Sequence, residues 1–218
     1  MNRIKLSIAN ANGNYDDKVE AFKKATILAE NFISKNFKFD YNIDVFVVPN
    51  SYLLNAIPED GICGRTYRFD LIVIVVDPNS DVSQDFFYET LCHELSHSLR
   101  WKNLPEHSVT LFDDVILEGL AVIFEEKAVA ENNNKNIQYF LKEMQKTDEK
   151  TINNILSIIG NDLKNEEYDF DKIFITGDNN LPRWSGYRLG YYFVNKYLKD
   201  NNRNIFEATT ESYKKFKK

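Results

Sequence analysis

The chain has 218 residues, of which 43% are hydrophobic and 28% charged, so it is long and apolar enough to bury a core without disulfides. This composition excludes a disordered or fibrous protein. The formal net charge is -6, and the basic cluster lies at the last residues. Because binding phosphates requires clustered Lys and Arg, we expect no nucleic-acid partner.

The longest apolar run, Leu71 to Val76, is far shorter than the roughly 20 residues that span a bilayer. The first residues are too often interrupted by polar side chains to form the apolar core of a signal peptide. We therefore expect a cytoplasmic protein with no membrane partner.

The first part of the chain carries the predicted strands. Between about residues 18 and 37, apolar side chains recur at three- and four-residue spacing, as in an amphipathic helix. Residues 43–48 and 71–76 are rich in β-branched side chains and end at proline-containing turns, which predicts two strands. Residues 61–67 could form a further, more exposed strand between them.

After Pro78 the apolar residues follow a helical period. The predicted helices cover about residues 85–101, 112–131, 137–143, 151–159, 184–198 and 203–216. Strands followed by helices predict an α+β fold, with a small N-terminal sheet packed on helices and a mostly helical C-terminal half. We expect one domain over residues 1–218, in which residues 1–84 supply the sheet and residues 85–218 the active site.

The sequence His93-Glu94-Leu95-Ser96-His97 is an HExxH motif inside a predicted helix. Residues four apart share one face of a helix, so His93 and His97 can both reach a single Zn²⁺. Glu94 is rotated by about 100° from His93 and can contact a metal-bound water. The motif therefore predicts a zinc site with Glu94 as general base.

A catalytic zinc needs a third protein ligand and an open position. The metzincin pattern is excluded, because Arg100 and Asn103 stand where it requires Gly and His. The candidates are His107, in a Pro-Glu-His loop, and Glu118, in the apolar run 115–124. Glu118 is favoured because a carboxylate in so apolar a helix needs a cation to offset its lost hydration, although Arg100 could also supply that charge.

The predicted helix that carries Glu118 has two further features that could contribute to the zinc site. Gly119 would let this helix lie close to the HExxH helix, at a cost of roughly 0.8 to 1 kcal/mol in helix propensity. Asp113 and Asp114 could instead hold a ligand histidine through a hydrogen bond to its other ring nitrogen. The sequence does not choose between these roles.

The blocks HELSHSLR, LEGLA and LPRWSGYRLGYYFV resemble a bacterial family of predicted zinc-dependent proteases of unknown function, over roughly Gly61 to Leu198. That family is similar to the gluzincin branch of the zincins, whose third ligand is a Glu on the helix after HExxH. The resemblance implies a zincin-like fold and Zn²⁺ held by His93, His97 and Glu118. Many gluzincins carry an Asp four residues after that Glu, but here the position is Val122.

The GYRLGY block predicts a helix with Gly186 and Gly190 on one face and Tyr187 and Tyr191 beside them. A phenol near zinc can donate a hydrogen bond to the oxyanion of a tetrahedral intermediate, and we slightly favour Tyr191 over Tyr187 for this role. Aromatic packing in the core is the alternative interpretation.

Further cleft residues are also predicted. Arg188 and His107 are alternative oxyanion donors, and Arg188 could also bind a substrate carboxylate. We expect substrate contacts from Arg100, Arg188, Gly64 and Arg65. The strand near Gly64 could bind an extended peptide by strand addition.

Together these patterns predict a zinc metallopeptidase that acts on a peptide or protein substrate. A second hypothesis is a regulatory or interaction protein that binds zinc without turnover. A third is a helical structural protein in which HExxH is accidental.

Overall fold

The computed structural model describes residues 3–51, 55–104 and 106–217. Within them the strands are β1 (Ile4–Ile8), β2 (Ile43–Pro49), β3 (Ile62–Arg68) and β4 (Leu71–Val76). The helices are α1 (Val19–Asn36), α2 (Gln84–Asn103), α3 (Leu111–Asn132), α4 (Tyr139–Gln145), α5 (Glu149–Ile159), α6 (Ser185–Asn201) and α7 (Ile205–Thr209). Short 3₁₀ turns cover Gly160–Lys164 and Tyr213–Lys215, and a π-helical turn covers Asp171–Thr176. The predicted α+β fold is confirmed.

The strands of the described residues form one mixed sheet in the order β1-β2-β4-β3. β1 and β4 both run parallel to β2, whereas β3 runs antiparallel to β4 and forms one edge. β2 alternates, with Ile43, Val45 and Val47 buried and Asp44 and Phe46 exposed. This period of two is expected for a strand with one face on the core.

The other edge strand, β1, is absent from the sequence prediction. Its five residues, IKLSI, alternate apolar and polar side chains, and only Ile4 is fully buried. So short a run predicts a strand only weakly. It forms a strand here because it pairs in parallel with β2.

α2 passes through the centre of the molecule, and all its residues from Phe87 to Arg100 are buried. Ser83 caps the start of the helix, because its hydroxyl accepts a hydrogen bond from Phe86 N at 3.2 Å. One side of α2 packs on β3 and β4, and the other on α1 and α3. The HExxH motif is therefore held on a rigid helix enclosed by the sheet and by other helices.

α3 crosses α6 at two glycines. A Cβ at Gly119 would lie 2.3 Å from the backbone of Gly190, so only hydrogen atoms fit at this crossing. Gly119 thus provides close approach to α6, and not to the HExxH helix as predicted. Gly186, in contrast to Gly190, does not face α3. A Cβ at Gly186 would instead meet the ring of Phe174 at 2.3 Å.

The predicted helix over residues 203–216 is wrong in its extent. The chain forms α7 and then a separate 3₁₀ turn, because the carbonyls of Thr209 and Glu211 accept hydrogen bonds from Arg100 at 2.9 and 2.7 Å. In a continuous helix those carbonyls would instead bond to amides one turn later. Among the described residues, no helix has the length and apolar character to cross a membrane.

Candidate metal centre

His93, His97 and Glu118 come together where α2 faces α3. Glu118 Oε2 lies 3.3 Å from His93 Nε2 and 3.6 Å from His97 Nε2. The three side chains are between 8% and 14% exposed, and each offers a ligand atom within 4.8 Å of the others. Two ligand atoms held about 2.1 Å from one zinc ion at a tetrahedral angle are about 3.4 Å apart. The observed spacings therefore fit a tetrahedral zinc site.

The charges in the site also fit a cation. Although burial raises the pKa of Glu118, the charges and hydrogen bonds of His97 and His93 hold it well below its usual range. Burial lowers the pKa of His93, but its hydrogen bonds with Glu118 and Glu125 outweigh burial and raise it above its ordinary value. The ionised carboxylate of Glu118 between two histidines is thus suited to a bound cation.

Glu125 is the residue that orients His93. Its Oε2 accepts a hydrogen bond from His93 Nδ1 at 2.8 Å, which leaves Nε2 free for a metal. Glu125 follows Glu118 by seven residues, two helical turns, so both carboxylates lie on one face of α3. It was not predicted from the sequence, although its spacing of seven residues from Glu118 places it on the same helix face.

The two aspartates considered for this orienting role bind elsewhere. Asp113 forms a capping box with Thr110 at the start of α3. Asp114 accepts a hydrogen bond from the hydroxyl of Tyr168. His97 is held mainly by packing, with its ring stacked on Trp101 at a centroid distance of 5.9 Å.

Glu94 lies beside the metal ligands and under β3. Thr66 Oγ1 is 2.7 Å from Glu94 Oε2 and donates a hydrogen bond to it. A Cβ at Gly64 would lie 2.7 Å from Glu94 Oε1, so the glycine leaves room for the carboxylate. The sequence identified Glu94 and Gly64 but missed Thr66, because the pairing of β3 with α2 is not visible in either segment alone.

Of the two tyrosines predicted as oxyanion donors, Tyr187 is the one at the metal site. Its hydroxyl is in hydrogen-bonding contact with Glu118, and its ring lies 6.3 Å from that of His93. Burial, together with the charges of Glu118 and Glu94, raises the pKa of Tyr187 well above its ordinary value. Tyr191, the preferred candidate from the sequence, instead donates to Glu126 at 3.1 Å.

The structure separates the predicted substrate contacts into two groups. Gly64 and Arg65 line a cavity of about 970 Å³ that also exposes the metal ligands, Glu94 and Tyr187. Arg100, 1% exposed, is turned to the C-terminal segment. Arg188 donates to Glu143 O at 2.8 Å, at the end of α4.

Arg100 and His107, the other candidates from the sequence, also lie outside the metal site. Arg100 pairs with Glu106 at 3.3 Å, so it does not supply the charge that balances Glu118. His107 lies exposed in the loop before α3, outside the group of His93, His97 and Glu118.

The remaining cavity wall is largely apolar and aromatic. It includes Phe140 and Trp184, whose rings pack edge to face at 5.2 Å, and Phe170 and Ile175 around the π-helical turn. A buried cluster of two histidines and a glutamate at the base of such a cavity defines a candidate HExxH metal centre.

The chain belongs to the DUF2268 family, described as predicted Zn-dependent protease, whose model matches residues 22–218. The match includes every residue of the metal centre described above. No curated protein and no solved structure matches the chain.

Proposed function

We propose that this chain is a zinc-dependent peptidase, with one catalytic domain and with His93, His97 and Glu118 as the zinc ligands. The observation that carries the proposal is the meeting of these three ligand atoms within 4.8 Å of one another, with Glu94 beside them at the base of an open cavity. The family description is consistent with this function. The Zn²⁺ would polarise the peptide carbonyl and lower the pKa of an attacking water.

Glu94 is the proposed general base. Thr66 Oγ1 lies 2.7 Å from Glu94 Oε2 and holds the carboxylate in place, and this carboxylate would take the proton of the attacking water. The same carboxyl group then delivers this proton to the leaving amine. Because Glu94 is fixed by Gly64 and Thr66 from one strand, its position relative to the ligands is set by the packing of β3 on α2.

Tyr187 is the proposed oxyanion donor. Burial keeps its phenol protonated, so the hydroxyl can donate where negative charge develops on the carbonyl oxygen. It lies on a helix that packs tightly on α3, and this fixes the hydroxyl before substrate binds.

The proposed substrate is an extended peptide. β3 is the edge strand of the sheet next to the metal ligands, and its residues Gly64 and Arg65 line the cavity. An extended chain could add to this edge through main-chain hydrogen bonds, with its side chains directed toward the cavity.

Two measurements test the proposal. The purified chain should contain one equivalent of zinc, and His93→Ala should abolish it. The wild type should cleave an unbiased peptide library, and Glu94→Gln should remove cleavage while zinc is retained. Zinc without any cleavage would favour a regulatory or interaction protein, and the lack of zinc would mean that the motif is accidental.

A further inference from the structure

Two large apolar side chains lie exposed on one wall of the cavity that holds the metal centre. Phe170 is 41% exposed and Ile175 42%, and both line this cavity. Leaving such side chains in water forgoes the free energy that their burial would provide. Apolar side chains that lie together in a concave site are typical of a surface that binds a ligand. The proposed mechanism gives neither residue a role.

The π-helical turn Asp171–Thr176 explains why the two side chains share a wall. Gly177 N donates a hydrogen bond to Lys172 O at 2.9 Å, a spacing of five residues. Phe170 and Ile175 are also five residues apart. In an α-helix, at about 100° per residue, residues with this spacing point about 140° away from each other. The wider turn is therefore what brings both side chains to the cavity.

The other side of the turn is anchored in the core. Ile173 and Phe174 are buried and belong to one apolar cluster with Leu189 of α6. The ring of Phe174 stacks on that of Phe170 at a centroid distance of 4.6 Å and lies 5.6 Å from that of Tyr187. One ring thus separates Phe170 from the proposed oxyanion donor, so the exposed wall adjoins the place where a peptide bond would be cleaved.

The charges near this wall favour an apolar ligand over a charged one. Arg183 also lines the cavity, but it pairs with Glu59 at 2.7 Å and lies 3.9 Å from the ring centroid of Trp184. An acidic side chain would therefore find this guanidinium already paired. Asp171 is exposed, so a basic side chain bound to it would stay in solvent and contribute little. An apolar side chain gains most, because it is buried against the wall.

We propose that Phe170 and Ile175 are specificity-determining residues, which bind a large apolar side chain of the peptide substrate, such as Leu or Phe. An extended peptide rises about 3.3 Å per residue, so this side chain belongs to one of the two residues on either side of the cleaved bond. The inference rests on the proposed peptidase function and adds the substrate class to it.

The first part of the test measures the preference of the wild type. The full chain with its zinc is incubated with an unbiased peptide library, and the cleavage sites are read by mass spectrometry. We expect Leu and Phe to be enriched at one position within two residues of the cleaved bond. Fluorogenic peptides that differ only at that position, carrying Leu, Ala, Glu or Lys, should then give a kcat/KM for Leu at least about tenfold above that for Ala.

The second part changes the wall. Ile175→Lys places a cation where the apolar side chain would bind, so kcat/KM should fall about tenfold or more for the Leu peptide and rise for the Glu peptide. Ile158→Lys is the matched control, because Ile158 on α5 is 38% exposed and does not line the cavity. Zinc content should stay at one equivalent in both variants.

A second pair of variants shortens the wall without adding a charge. Phe170→Ala should reduce the preference for Leu over Ala several-fold. Phe46→Ala, from a side chain 42% exposed on β2 and outside the cavity, should keep the wild-type preference. A purely structural effect on turnover would lower the rates for all the peptides together, whereas the proposed contact changes their ratio.

The outcomes separate this inference from the proposed function. If the wild type cleaves no peptide, the proposed function is wrong and the inference falls with it. If the wild type cleaves but shows no preference near the cleaved bond, or prefers Lys or Glu there, the peptidase stands and the inference is wrong. The same holds if Ile175→Lys changes the ratio of the Glu to the Leu peptide no more than Ile158→Lys does.

Discussion

Gly64 in β3 lies against the carboxyl group of Glu94 in α2. A Cβ at position 64 would be 2.3 Å from Glu94 Cγ and 2.7 Å from Oε1. Two residues along the strand, Thr66 donates to the other carboxylate oxygen. The strand thus makes room for the proposed general base and holds it, while the proposed zinc ligands lie on α2 and α3.

Gly64→Ala should therefore separate catalysis from metal binding. The added methyl group displaces the Glu94 carboxylate, and we expect turnover to fall on the order of tenfold or more while zinc content stays at one equivalent. The matched control is Gly160→Ala, because a Cβ at Gly160 meets only Leu156, at 3.8 Å or more. Wild-type turnover in Gly64→Ala would show that the glycine does not set the position of Glu94.

The sequence predicted most accurately what lies within one helix. The HExxH spacing places both histidines on one face whatever surrounds the helix, and Glu118 stood out because a carboxylate in an apolar run needs a partner. The helices that carry these residues were predicted to within a few residues at each end. Local period and chemistry are sufficient for such features.

Features that depend on how segments pack could not be predicted in the same way. Tyr187 and Tyr191 share one stripe of α6, and only the crossing at Gly190 decides which of them reaches Glu118. His93 and Glu125 meet across two helices although they are 32 positions apart in sequence, and neither segment signals the other. The zincin-like character of the fold stays a prediction.

Tyr187 and Tyr191 of α6 provide a paired test of the oxyanion donor. Tyr187→Phe should lower turnover by about a hundredfold or more with zinc retained, because the phenol hydroxyl is lost from the site where charge develops. Tyr191→Phe removes only the bond to Glu126 and should keep wild-type turnover. Steady-state kinetics with a cleaved peptide measure both. Equal, wild-type rates in the two variants would place the oxyanion donor elsewhere.

Arg100 should prove to be a stabilising residue. Its guanidinium donates to the carbonyls of Thr209 and Glu211, pairs with Glu106 and lies 4.1 Å from the ring centroid of Tyr213. Arg100→Met leaves the buried Thr209 carbonyl and the partly buried Glu211 carbonyl without this donor, so we expect the free energy of unfolding to fall by about 3 kcal/mol.

Denaturant unfolding measures this change, and zinc content should be retained in folded Arg100→Met. Arg68→Met is the control, because that side chain is 68% exposed and its ion pair with Asp70 contributes about 1 kcal/mol or less. A raised KM with unchanged stability in Arg100→Met would instead support the substrate contact expected from the sequence.

The glycine crossing of α3 and α6 gives the last prediction. A Cβ at Gly190 would lie 2.2 Å from Val115 O and 2.7 Å from Gly119 N, and no side-chain rotation relieves a clash with backbone. Gly190→Ala should therefore force the helices apart and cost on the order of 1 to 3 kcal/mol of stability. Because Tyr187 lies one turn earlier on α6 and contacts Glu118 on α3, turnover should fall as well. Gly160→Ala is the control, because a Cβ there meets only Leu156, at 3.8 Å or more, and it should keep wild-type stability in denaturant unfolding; an equal loss in that variant would contradict the role assigned to the backbone contact.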